Sequence, residues 1–142
     1  MNKVITTEDN NHILALDLNA RSKDDFLIYA NAVNRARAIP LAEDNLKPIH
    51  RKILYTFYLT KLTSDKEPKK SRATVGEVLK LSPHGDAATY GALVRLAQGW
   101  KLRYPLVERQ GNCGNLLGRP PAAARYTIAK LSLIGGMWLA DI

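Results

Sequence analysis

TVGEVLKLSPHGDAATYGALVRLAQG, residues 74–99, reads as two short helices joined by a tight break. Thr74 and Glu77 have the spacing of a capping box, which predicts a helix from there to about Leu81. Pro83-His84-Gly85 interrupts it, because proline lacks the amide that a helix needs and glycine costs backbone entropy. Asp86 can cap a second helix, in which Tyr90, Leu93, Val94 and Ala97 recur at helical spacing and Gln98-Gly99 stop the run. Two helices around a tight glycine-containing turn make a helix-turn-helix, with residues 86–98 as the candidate recognition helix. A helical hairpin built only for its core would show the same periodicity.

Downstream, Leu102, Tyr104 and Leu106 alternate with Arg103, Pro105 and Val107, which predicts a strand that Pro105 confines to an edge. Gly111, Gly114 and Gly118 predict a flexible wing, and residues 124–128 its returning strand. The expected fold is therefore mainly α (α+β): a winged helix with a helix-turn-helix and a small β-hairpin wing. Leu131, Ile134, Trp138 and Leu139 predict a last helix, although Gly135-Gly136 in its middle costs about 2 kcal/mol relative to alanines. So many large apolar groups require tertiary cover, with Trp138 folded against the helix of Phe26 and Tyr29 or against a second copy of the chain.

Upstream, residues 1–21 read as an N-terminal arm and residues 22–142 as the domain proper. Ser22-Lys23-Asp24-Asp25 supplies an N-cap and first-turn acids for a helix with Phe26, Tyr29, Ala30 and Val33 on one face, ending before Pro40. Pro48 suits the first turn of the next helix, whose apolar stripe is Ile49, Ile53, Leu54 and Phe57. His50, Arg51 and Lys52 leave its first turn, where amides and cations make a phosphate site or simply a wet basic end. Residues 63–72 form a polar loop that closes on the cations Lys69, Lys70 and Arg72.

With 142 residues there is room for one core but none for a separate nucleotide-binding domain, and there is no Walker-type glycine loop. A net charge of +8 favours a polyanionic partner. A lone Cys113 excludes an internal disulfide and an all-cysteine metal site, and fits a reducing, cytoplasmic setting. Neither a signal peptide nor an apolar run long enough for a bilayer is visible, so no membrane partner is expected.

Arg125-Tyr126 is the pair with chemistry to offer. A phenol is an oxygen nucleophile, and a guanidinium stays cationic beside the charge that builds on phosphorus during transesterification. Most such pairs are only half-buried packing. This one follows Leu46-Lys47-Pro48-x-His50-Arg51, Pro83-His84-Gly85-Asp86 and Gln110-Gly111-Asn112, and together with Ala124-Arg125-Tyr126-Thr127 these motifs resemble the breakage-reunion domain of bacterial type IIA topoisomerase A subunits (gyrase A and topoisomerase IV A). The likeness covers residues 26–132. It implies that Tyr126 becomes joined to DNA, that Arg125 assists it, and that Arg37, Lys47, His50, Arg51, Lys52, Ser82 and His84 line the DNA.

The resemblance further implies three partners: double-stranded DNA, a second copy of the chain and a B-type subunit. Mg2+ would come with the B subunit, since no acid cluster here suits it and this chain alone binds none. The family is ATP-hydrolysing, and because the metal must come with a partner the chain is expected to be an incomplete enzyme, truncated relative to the family. Departures from the pattern are concentrated. Ser82 stands where the family shows a second histidine, Leu117 and Arg119 replace acids in the wing, Ile128 replaces a glutamate, and Ala87 and Gly91 replace the hydroxyl and acid that meet the metal-water bridge of quinolones. Two other readings stay open: a non-catalytic DNA-binding winged helix, and a standalone fragment that pairs with a host topoisomerase subunit.

Overall fold

The computed structural model describes residues 17–82 and 85–140. The chain divides into two compact units, Met1–Ile39 and Pro40–Ile142. In the first, α1 (Leu18–Val33) runs into a π-helical turn, Asn34–Ala38. It starts a turn before the expected Ser22, because Asp17 is the cap and its carboxylate accepts the Asn19 N–H at 2.9 Å. No residue of α1 is buried. Of the expected N-terminal arm, residues 1–16 lie outside the described residues.

The second unit carries the core. Proline at the first position opens α2 (Pro48–Leu59), and its stripe residues Ile53, Leu54 and Phe57 have no exposed surface. They pack against Val75 and Val78 of α3 (Ser71–Leu81), Leu93 and Leu96 of α4 (Asp86–Leu96), and Val107 and Leu131 of the sheet. Both helices of the expected helix-turn-helix are thus present, with two boundary corrections. Helix α3 begins at Ser71 and not at Thr74, whose side chain is buried inside the helix and caps nothing. Helix α4 begins at Asp86 with Gly85 as its cap, and the Asp86 carboxylate accepts the Ala87 N–H.

The sheet is antiparallel, in the order β1-β3-β2, from β1 (Lys69–Lys70), β2 (Val107–Gln110) and β3 (Ile128–Leu131). Val107 opposes Leu131 and Gln110 opposes Ile128, while Lys70 pairs with Ile128 from the other side. Both wing strands therefore start later than expected. Residues 102–106 form a bent segment, fixed by Leu106 N–H to the Leu96 carbonyl, and residues 124–126 form a turn before β3. The wing between β2 and β3 turns at Gly111, Gly114 and Gly118, all with positive φ.

Helix α5 (Leu133–Trp138) ends the described chain, capped by the Ser132 hydroxyl on the Gly135 N–H. A Cβ at Gly135 would lie 2.4 Å from the Leu106 carbonyl oxygen, so the glycine that weakens the helix is also what lets it dock. Trp138, 39% exposed, shares an apolar groove with Arg51, Lys52 and Tyr55 of α2. No helix among the described residues is long and apolar enough to cross a membrane.

Candidate functional site

Tyr126 sits on the last residue of a tight turn, its N–H donating to the Ala123 carbonyl at 2.8 Å. The ring is 64% exposed, and the Arg125 guanidinium lies over it, 4.8 Å from the centroid. Tyr104, 56% exposed under the Arg103 guanidinium, shows the same pairing, and what sets Tyr126 apart is the tightly held backbone beneath it. Thr127, 1% exposed, points inward, donates to the Ser71 hydroxyl at 2.9 Å and lies 3.0 Å from the Tyr90 hydroxyl. Tyr90 also donates to the Ala122 carbonyl at 2.6 Å.

Main-chain bonds complete the clamp. The Ser71 N–H donates to the Thr127 carbonyl at 2.9 Å, and the Arg72 N–H to that of Ala124 at 3.1 Å. From the wing, Gly111 presses close: a Cβ there would meet the Tyr126 carbonyl oxygen at 3.0 Å, and its φ of +99° strains any other residue. The turn is thereby held by α3, α4 and the wing at once. Its phenol faces outward on a backbone that has little freedom to move.

The basic groups at the start of α2 are arranged differently. Arg51 makes a forked ion pair with Asp44, its Nη2 at 2.8 Å from Oδ1 and its Nε on Oδ2, and Nη2 also donates to the Leu46 carbonyl at 2.8 Å. The Arg51 bond holds the Asp44 carboxyl below its ordinary range. Lys52 donates to the Ser82 hydroxyl at 3.1 Å. Ser82 was expected on the DNA face, but it has no exposed surface; it anchors Lys52 from behind. Burial first, then the charges of Lys47 and Arg95, push the His50 imidazole below the usual histidine value.

Lys47, half-buried, flanks α2 at its cap position. Arg37 is exposed in the π-helical turn of the first unit, and His84 lies outside the described residues. Cys113 is buried, and its carbonyl accepts a bond from the Gln98 side chain at 2.7 Å. No group of three or more His, Cys, Asp or Glu side chains that could hold a metal ion is found among the described residues.

The supports of the tyrosine were not legible beforehand. Tyr90 reads as one more apolar member of a helical stripe, Ser71 as loop, and Thr127 as part of a strand. A buried hydroxyl needs a partner, so the buried Ser71 and Thr127 are the signal that could have joined these residues.

The sequence profile of the DNA gyrase/topoisomerase IV A subunit matches residues 37–142. The DNA gyrase A subunit of Spiroplasma citri is 49% identical over 128 residues, 89% of this chain and 56% of that protein. The DNA gyrase A subunit of Brachyspira hyodysenteriae is 51% identical over 121 residues, 84% of this chain and 14% of that protein. The DNA topoisomerase 4 A subunit of Staphylococcus aureus is 48% identical over 120 residues, 84% of this chain and 15% of that protein. The chain thus spans about half of the first relative and about one-seventh of the other two. With a profile match over most of its length and relatives at this identity, the chain belongs to the DNA gyrase/topoisomerase IV A-subunit family.

Proposed function

We propose that this chain carries the DNA-binding and cleavage-religation step of a type II DNA topoisomerase, with Tyr126 as the nucleophile. The observation behind this reading is a phenol that is largely exposed on a turn clamped from three sides, with a guanidinium over its ring. The phenol oxygen attacks a backbone phosphorus and forms an O–P bond as the P–O3′ bond breaks. The phenol proton leaves to solvent, and the freed 3′-oxygen takes one up. The products are a 5′-phosphotyrosine and a 3′-hydroxyl, and religation runs the same exchange in reverse. Arg125 neutralises charge on the phosphoryl oxygens and stays protonated while doing so.

Lys47, His50 and Lys52, with Arg37 and His84, supply phosphate contacts on the flanking duplex. Arg51 and Ser82 act behind them: Arg51 fixes the loop that delivers Lys47, and Ser82 fixes Lys52. Cations aimed at phosphates make the binding sequence-independent. Mg2+ is the metal that the family resemblance implies, but the described residues do not fit a site for it. A B-type subunit brings the ion, and a second copy of the chain serves the opposite strand.

The test mixes the chain with a B-type subunit, Mg2+ and end-labelled duplex, denatures the mixture, and looks for label migrating with protein. The wild type traps label. Tyr126→Phe traps none while binding DNA equally well, since only the attacking oxygen is gone. Equal adduct from both chains removes Tyr126 from the mechanism, and good binding without adduct in either makes the chain a non-catalytic DNA-binding winged helix. Co-purification of a topoisomerase subunit without DNA would make it an interaction module.

A further inference from the structure

The cations Lys69, Lys70 and Arg72 have no part in the function described so far, yet the fold brings them to the tyrosine. Lys69 and Lys70 pair with Ala129 and Ile128 as the edge of the sheet, and both side chains are exposed. Ser71 and Arg72 continue the attachment through their N–H bonds to the carbonyls of Thr127 and Ala124. Four consecutive residues thus run along the strand and turn that carry Tyr126, and Arg72 leaves the backbone beside Arg125.

Arg72 and Arg125 are both exposed and line one cleft of about 480 Å3 between α3, α4 and the turn. Its walls are Val75, Leu79, Tyr90 and small residues, and Asp86 is the one carboxylate among the lining residues. Asp86 is engaged with the Ala87 N–H at 2.8 Å. Among the described residues, every carboxylate partner within 4.0 Å belongs to another cation: Arg21, Arg51, Lys66, Lys80 or Lys130. Two guanidiniums without carboxylate partners, over a wall of mixed polarity, match a phosphodiester, which offers paired oxygens to a planar fork of donors and a sugar to the apolar part of the wall.

We propose that Arg72 is a further DNA-binding residue, gripping the backbone phosphate next to the one that Tyr126 attacks, with Lys69 and Lys70 extending the track along the sheet edge. The position of that phosphate rests on Tyr126 being the nucleophile; the grip itself does not. Arg72 thereby sets how far along the strand the attacked phosphorus lies from the sheet, and Arg125 is left to act on the reacting group.

The test reads duplex binding by fluorescence anisotropy over a salt series, in the Tyr126→Phe chain, where no adduct can form. Each phosphate contact contributes about 0.9 to the magnitude of the slope of log K against log salt. Arg72→Gln lowers that magnitude by about one contact, Arg72→Lys retains it, and Lys80→Gln, at the opposite end of α3, leaves it unchanged. Circular dichroism confirms that each variant is folded. An Arg72→Gln slope equal to its parent's, an equal drop in Lys80→Gln, or a parent slope near zero would each overturn the proposal. An Arg72-dependent slope in a chain whose wild type forms no adduct would instead sink the nucleophile and leave the grip standing.

Discussion

The turn at Tyr126 and the start of α2 are both rich in cations, and the fold uses them in opposite ways. At the start of α2 the guanidinium is neutralised: Arg51 holds Asp44 and Leu46, while Lys52 rests on the neutral Ser82 hydroxyl and keeps its charge for a ligand. At the turn the fixing is done by neutral hydroxyls and amides, and Arg72 and Arg125 are left without carboxylate partners among the described residues. Holding a site with uncharged bonds keeps its cations available for a ligand. Holding a loop with an ion pair uses the charge up.

The largest effect is expected where the hydroxyl scaffold is cut. Thr127→Val keeps the shape but strands the Ser71 hydroxyl, which costs about 2 kcal/mol of folding stability in urea and most of the covalent adduct. Unchanged adduct would show that the scaffold does not position Tyr126. Next, Arg51→Ala removes the forked pair and leaves Asp44 alone, costing about 1.5 kcal/mol by the same measurement. Its salt slope should fall by less than that of Arg72→Gln, and an equal fall would erase the distinction between braced and available cations.

Gly111→Ala should cost about 1 kcal/mol, since it forces a side chain into positive φ against the Tyr126 carbonyl. Adduct should fall along with stability. A loss of adduct at full stability would mean that the wing contacts DNA and does more than back the turn.

The smallest effect is a pH dependence. His50 has a folded pKa below the unfolded value of 6.5, so the unfolded chain binds a proton first as pH falls. Stability is therefore complete above about pH 7 and declines as pH drops through the unfolded value toward the folded one, a slope that His50→Gln should flatten. An identical profile in His50→Gln would mean that the imidazole is as wet as in the unfolded chain.

Most of the helical frame was readable because its stripes are long and periodic: Ile53, Leu54 and Phe57 in α2, and Leu93 and Val94 in α4, are buried as their spacing predicts. The strands were not. Lys69-Lys70 has no apolar alternation, and only its pairing with β3 makes it a strand. Residues 102–106 alternate convincingly, yet the Leu96 carbonyl captures the Leu106 amide and delays the strand to Val107. Tyr126 itself was found through the motifs around it, whereas Ser71, Tyr90 and Thr127 meet only in three dimensions. The Asp44–Arg51 pair escaped because its partners lie seven positions apart, one in a loop and one in a helix.

The central claim is that the exposed phenol of Tyr126 becomes joined to DNA. The most direct measurement traps the reaction of the wild-type chain with a B-type subunit, Mg2+ and duplex, digests the DNA to short ends and the protein with trypsin, and weighs the peptides. Cleavage after Arg125 and Lys130 releases residues 126–130 with Tyr126 at its start. This peptide should carry a nucleotide mass on its tyrosine, and the Tyr90 and Tyr104 peptides should not. Nucleotide mass on any other residue, with residues 126–130 unmodified, would contradict it.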